Sequence, residues 1–99
     1  MKKAEKEYLS KVAEIGCIIC YRNGYPQTPC EIHHIRDVGL GLGVRNSHTN
    51  TLPLCPLHHR GNDGIHGMGR KAWERKYGTQ WELLEIVQGI LNDEENQSS

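Results

Sequence analysis

Two short spacings constrain this chain more than anything else in it. "CIIC" at 17–20 is C-x2-C and "CPLH" at 55–58 is C-x2-H. With two residues between the donors, both side chains of each pair can reach one ion, and the two pairs match the halves of a tetrahedral zinc site. Residues 21–54 separate them, a longer gap than in a simple finger. An ion held by Cys17, Cys20, Cys55 and His58 would therefore tie the first part of the chain to its middle. Cys30 is the rival fourth ligand, in an all-cysteine site that leaves His58 out. His58 is preferred, because it completes a pair with Cys55 while Cys30 has no near partner. Cys30 then reads as a small buried residue on a strand.

A chain of 99 residues, 36% hydrophobic and without phenylalanine, has a marginal core. Folds of this size often recruit a metal or disulfides. "MKKAEKEYLSK" at the N-terminus lacks the apolar stretch of a secretory signal, and no run approaches the ~20 apolar residues that span a membrane. The expected compartment is the cytoplasm, where disulfides are rare and cysteines serve as thiolate ligands. A secreted disulfide scaffold is correspondingly disfavoured. Net charge is zero, yet it is segregated. Residues 36–76 carry seven Arg or Lys against three acids, and residues 77–99 carry five acids and no base. A basic surface beside an acidic end suits an anionic partner met at one face.

The pattern predicts an α+β fold: a single domain over 1–92, with flanking N- and C-terminal helices, and a disordered acidic and polar tail over 93–99. Tyr8, Val12 and Ile15 predict a helix over 3–15, closed by Gly16. Residues 16–29, with Gly24, Pro26 and Pro29, read as turns. "CEIHHI" at 30–35 and "TLPL" at 51–54 read as short strands, Pro53 confining the second to an edge. The glycines of "RDVGLGLGVRNSHTN" rule out a regular element there. Pro56 suits the first turn of a brief helix. A further helix fits about 69–77, and "TQWE" is a capping box opening the last one.

Histidine doublets occur at His33-His34 and His58-His59. Neighbours on a strand face opposite ways, and neighbours on a helix diverge by about 100°. Each doublet therefore divides between two tasks. His58 would complete the zinc site while His59 turns to a second one, gathered with His33 and His66. Imidazoles that leave open positions on a divalent ion mark a catalytic site. Histidine titrates near neutrality, which suits unligated His34 as a general base. His48 reads as an ordinary surface or core residue.

A strand with "HH", a later Asn and "LPLCPLHH" opening a short helix together resemble the HNH (ββα-metal) endonucleases. The combination "GCIIC … EIHHIR … LPLCPLHHRG … IHG … WERKYGT" further resembles the phage Ref (recombination enhancement function) nucleases, over about residues 15–92. The resemblance implies a zinc-braced ββα-metal core, phage or prophage origin, a DNA substrate and action with RecA filaments in a bacterial host's cytoplasm. It implies His34 as general base and His33 and His59 as catalytic metal ligands. Asn50 would fix the loop that carries the base, and His66 would be a third ligand or a phosphate contact. The implied reaction is phosphodiester hydrolysis with Mg2+ or another divalent cation, helped by Arg36, Arg45, Arg60 or Arg70 at the phosphate. Nothing resembles a base-reading helix, so contacts should fall on the backbone and weaken with salt. The competing class is a non-catalytic, zinc-stabilised module that binds DNA or a recombinase. It has no need of an unligated histidine beside a ligand.

Overall fold

The apolar face of Tyr8, Val12 and Ile15 forms as its spacing predicts, in α1 (Lys3–Ile15). The computed structural model describes residues 2–35 and 48–97. α1 stops at Gly16, whose φ of 81° is left-handed. A Cβ there would lie 2.5 Å from the Thr28 amide nitrogen, so only glycine lets the chain turn this tightly. The turn is stitched by Gln27 N–H to the Ile15 carbonyl at 3.1 Å and Cys17 N–H to the Thr28 carbonyl at 3.0 Å. Cys17 is thereby delivered at a fixed angle.

Within the stretch expected to be turns, residues 18–22 instead form a helix, α2 (Ile18–Arg22). Its punctuating residues, Asn23 to Pro26, all follow it. Ile18 and Ile19 are buried, and α2 packs on the sheet, so tertiary burial overrides weak local signals. The two strands form where expected, β1 (Glu31–His34) and β2 (Thr51–Leu54). They pair antiparallel with Ile32 opposite Pro53 and His33 opposite Leu52. Each strand of a two-stranded sheet keeps a free edge, which accommodates Pro53. β2 is buried along its whole length, because α1, α2 and the last helix all pack on it. β1 alternates at its end, with His33 buried and His34 exposed.

Pro56 opens α3 (Pro56–His59) as its missing N–H allows. A short helix that the sequence did not announce follows, α4 (Ile65–Met68). A Cβ on Gly67 would collide with the Gly61 carbonyl oxygen, so glycine allows α4 to fold back tightly against the end of α3. α5 (Arg70–Tyr77) and α6 (Gln80–Gln97) complete the chain. Trp73 is fully buried, and Leu83, Val87 and Leu91 bury one face of α6 at four-residue spacing. The core is thus α+β, with the sheet between α1, α2 and α6. No helix among the described residues is long and apolar enough to cross a membrane.

The expected disordered tail is corrected over most of its length, because α6 runs on to Gln97. The helix is nucleated by its packed first turns, and adding Asp93, Glu94 and Glu95 then fixes one residue per hydrogen bond.

The capping box is present in both directions: Glu82 N–H donates to Thr79 Oγ1 at 3.1 Å, and Thr79 N–H donates to Glu82 Oε1 at 2.9 Å. Thr79→Ala should cost about 1 kcal/mol of stability by denaturant titration.

Candidate functional site

Each of the two sequence pairs is built the same way. Cys17 is the N-cap of α2 and Cys55 the N-cap of α3, and the second donor, Cys20 or His58, lies three residues on. The first helical turn brings the two donors of each pair to the same side. Cys17, Cys20, Cys55 and His58 then converge, with one ligand atom from each within 4.8 Å of the others. His58 Nδ1 lies 3.5 Å from Cys17 Sγ, 3.7 Å from Cys20 Sγ and 3.2 Å from Cys55 Sγ, and the sulfurs of Cys20 and Cys55 are 3.9 Å apart. Tetrahedral zinc with Zn–S and Zn–N of usual length needs donor separations of roughly 3.5–3.8 Å. The cluster fits such an ion.

Burial pushes the Cys17 thiol up to about 12, against backbone N–H donors of Cys20 and Cys55. Burial also lowers the His58 pKa, Asp63 opposing it, which favours the neutral ring. The far nitrogen of His58, Nε2, faces Asp63 Oδ2 at 3.5 Å. Asp63 in turn accepts from Lys76 Nζ at 2.7 Å and from the Tyr77 hydroxyl. Those two donors hold its carboxyl below the usual range. Cys30 stands apart from this cluster, half-buried just before β1, with its thiol toward the Ala13 carbonyl at 3.6 Å.

A second convergence involves His33, His59 and His66, again with one nitrogen from each within 4.8 Å of the others. His33 Nδ1 and His59 Nε2 are 3.3 Å apart. The ring centroids of His66 lie 5.3 Å from His33 and 4.8 Å from His59. Two imidazole nitrogens on one divalent ion at ~2.0–2.1 Å stand roughly 2.9–3.4 Å apart at right-angled to tetrahedral geometry, so this donor set also fits a cation. Burial pushes His33 down to about 4, its bond to Gln80 opposing the shift, which keeps the ring neutral at pH 7.

The outer nitrogens of two of these rings are engaged. His33 Nε2 lies 2.8 Å from Gln80 Oε1, and His59 Nδ1 lies 2.8 Å from Glu31 Oε1. Neither partner was anticipated. Glu31 had a signal, being two residues before His33 and so on the same strand face. Gln80 had none, since only the docking of α6 brings it to β1.

The three histidines border a cleft of about 590 Å3 that His34, Arg70 and Gln80 also line. His34 is exposed. Of the four arginines expected at phosphate, Arg70 borders the cleft and bonds Glu74 Oε1 at 3.3 Å. Arg60 is engaged with Glu31, its Nε 3.0 Å and its Nη2 2.9 Å from Oε2. Arg36 and Arg45 lie outside the described residues. Asn50 adjoins the sheet, its carbonyl accepting from Ile35 N–H at 2.9 Å. His48 packs edge-on against Tyr8, away from both clusters.

A family model described as "recombination enhancement, RecA-dependent nuclease" matches residues 2–92. The chain belongs to that family. No curated protein matches the chain. Membership makes this a chain of the RecA-dependent nucleases involved in recombination enhancement, which gives the two donor clusters and the cleft a chemical context: DNA as substrate and RecA as the associated recombinase.

Proposed function

We propose that the chain is a metal-dependent HNH (ββα-metal) endonuclease of phage or prophage origin, hydrolysing DNA phosphodiester bonds with RecA in the cytoplasm of a bacterial host. The observation that carries this reading is the meeting of His33, His59 and His66 on an open cleft, separate from the buried Cys3His cluster. A structural ion needs four donors and no access. A catalytic one needs fewer donors and an open side. The order β1, β2, α3 and the origin of His33 and His59 on β1 and α3 agree with a ββα-metal arrangement.

In this reading Cys17, Cys20, Cys55 and His58 hold zinc, and His33, His59 and His66 hold Mg2+ or another divalent cation. Bound there, the cation would polarise a non-bridging phosphate oxygen and stabilise the leaving 3′-oxygen. A ring nitrogen of His34 accepts the proton of the attacking water. Arg70 neutralises the phosphate at the cleft edge. Arg60 reaches phosphate only by sharing its ion pair with Glu31, and Arg36 and Arg45 are further candidate phosphate contacts. Asn50 fixes the segment entering β2 across from His34. Among the described residues no Tyr or Trp lines the cleft, which favours backbone contacts and low sequence specificity.

The test is cleavage of supercoiled, linear and RecA-coated DNA in Mg2+, Mn2+ or Zn2+ and in chelator. Cutting should require a divalent ion and be greatest on RecA-coated DNA. Cutting that persists in chelator overturns the metal mechanism. Binding without cutting under every condition replaces it with a non-catalytic DNA- or recombinase-binding module.

A further inference from the structure

We propose that Gln80 and Glu31 are positioning residues that fix opposite tautomers on His33 and His59, so that Nδ1 of one ring and Nε2 of the other present bare lone pairs to a single cation. The inference deepens the proposed function and rests on its assignment of these rings as metal ligands. A carboxylate and an amide oxygen can only accept hydrogen bonds. Gln80 Oε1 at 2.8 Å therefore puts the proton of His33 on Nε2, and Glu31 Oε1 at 2.8 Å puts the proton of His59 on Nδ1. The nitrogens left without protons are the two that face each other at 3.3 Å. Two lone pairs at that distance repel, and a shared cation turns the arrangement from costly to favourable.

Gln80 is built for this. The residue is 5% exposed, an expensive place for an amide unless it is bonded. Its backbone N–H donates to Glu74 Oε2 at 2.8 Å, while Glu74 Oε1 accepts from Arg70 Nη1 at 3.3 Å. Glu74 thus pins the start of α6 to the arginine at the cleft edge and holds the amide against the strand. Glu31 is held likewise, by its paired bonds to Arg60. Outer partners of this sort orient the ligand ring and raise its basicity, and their loss typically costs 10–100-fold in metal affinity.

The experiment uses the zinc-loaded protein. Long-range 1H–15N spectra of the imidazoles before Mn2+ addition should show His33 protonated at Nε2 and His59 at Nδ1. Mn2+ is then titrated, following the spin-resonance signal of the free ion. Gln80→Met, close in size but without an acceptor, should abolish the fixed His33 tautomer and weaken Mn2+ binding roughly 10–100-fold. Gln80→Glu, which keeps the acceptor, should bind within about threefold of wild type. Zinc content, which a purely structural role would disturb, should stay the same in both. A proton on His33 Nδ1, or wild-type Mn2+ affinity in Gln80→Met, overturns the proposal. Correct tautomers in a wild-type protein that takes up no Mn2+ overturn the metal-site reading beneath it.

Discussion

His34→Ala is expected to reduce nicking of supercoiled or RecA-coated DNA roughly 10²–10⁴-fold, the usual contribution of a positioned general base. It should do so without changing the fold, the zinc content or the uptake of a second cation. The reason is position. His34 belongs to neither donor cluster, and it is exposed, so its removal opens no cavity and leaves no buried group unpaired. Its neighbour behaves differently. His33 is 7% exposed and bonded to Gln80, so His33→Ala should lose cation binding as well as cutting. Comparing the two adjacent variants separates the base from the ligand. A His34→Ala protein that cuts at the wild-type rate would remove His34 from the reaction, whatever the fate of His33.

That one-residue contrast was legible because a strand alternates. The sequence states the doublet, and β1 converts it to one buried and one exposed ring. The Cys17–Cys20 and Cys55–His58 pairs were legible for a similar reason: a spacing of three within a helical first turn is local geometry, written in consecutive residues. Helix α2 was not legible, since its five residues are held by the burial of Ile18 and Ile19 on a sheet assembled from far along the chain. Gln80 was hidden for the same cause. It lies 47 positions along the chain from His33, and no local pattern encodes that meeting. Cys30 illustrates the remaining case. Spacing already favoured Cys17, Cys20 and Cys55 with His58 over an all-cysteine set, but no local pattern encodes where the remaining thiol goes: it faces the Ala13 carbonyl, 17 positions away along the chain.

The second large effect should appear at Cys55. Cys55→Ser, or removal of metal by a strong zinc chelator, is expected to abolish the cooperative thermal transition seen by circular dichroism, and restoring zinc should return it after chelation but not in the variant. Structural zinc contributes about 10–16 kcal/mol of apparent binding free energy in small zinc-dependent peptides, as much as the ~5–15 kcal/mol net stability of a whole domain. Here the elements at risk are those least able to stand alone. α2 and α3 have five and four residues, far below the ~12–15 at which an isolated helix becomes even marginal, and each starts on a cysteine of the donor cluster. Without a cation the Cys17 thiol, pushed up by burial, keeps its proton, so the sulfurs and His58 supply packing and weak thiol hydrogen bonds across the 17–58 span but no coordinate bond. Zinc uptake should accordingly release protons, measurable in a weakly buffered titration. Cys30→Ser is the control. Its thiol lies outside the cluster, and its loss should cost no more than about 1 kcal/mol. Equal melting of the Cys30 and Cys55 variants would mean that packing alone braces the site; a collapse confined to Cys55 would mean that the ion does.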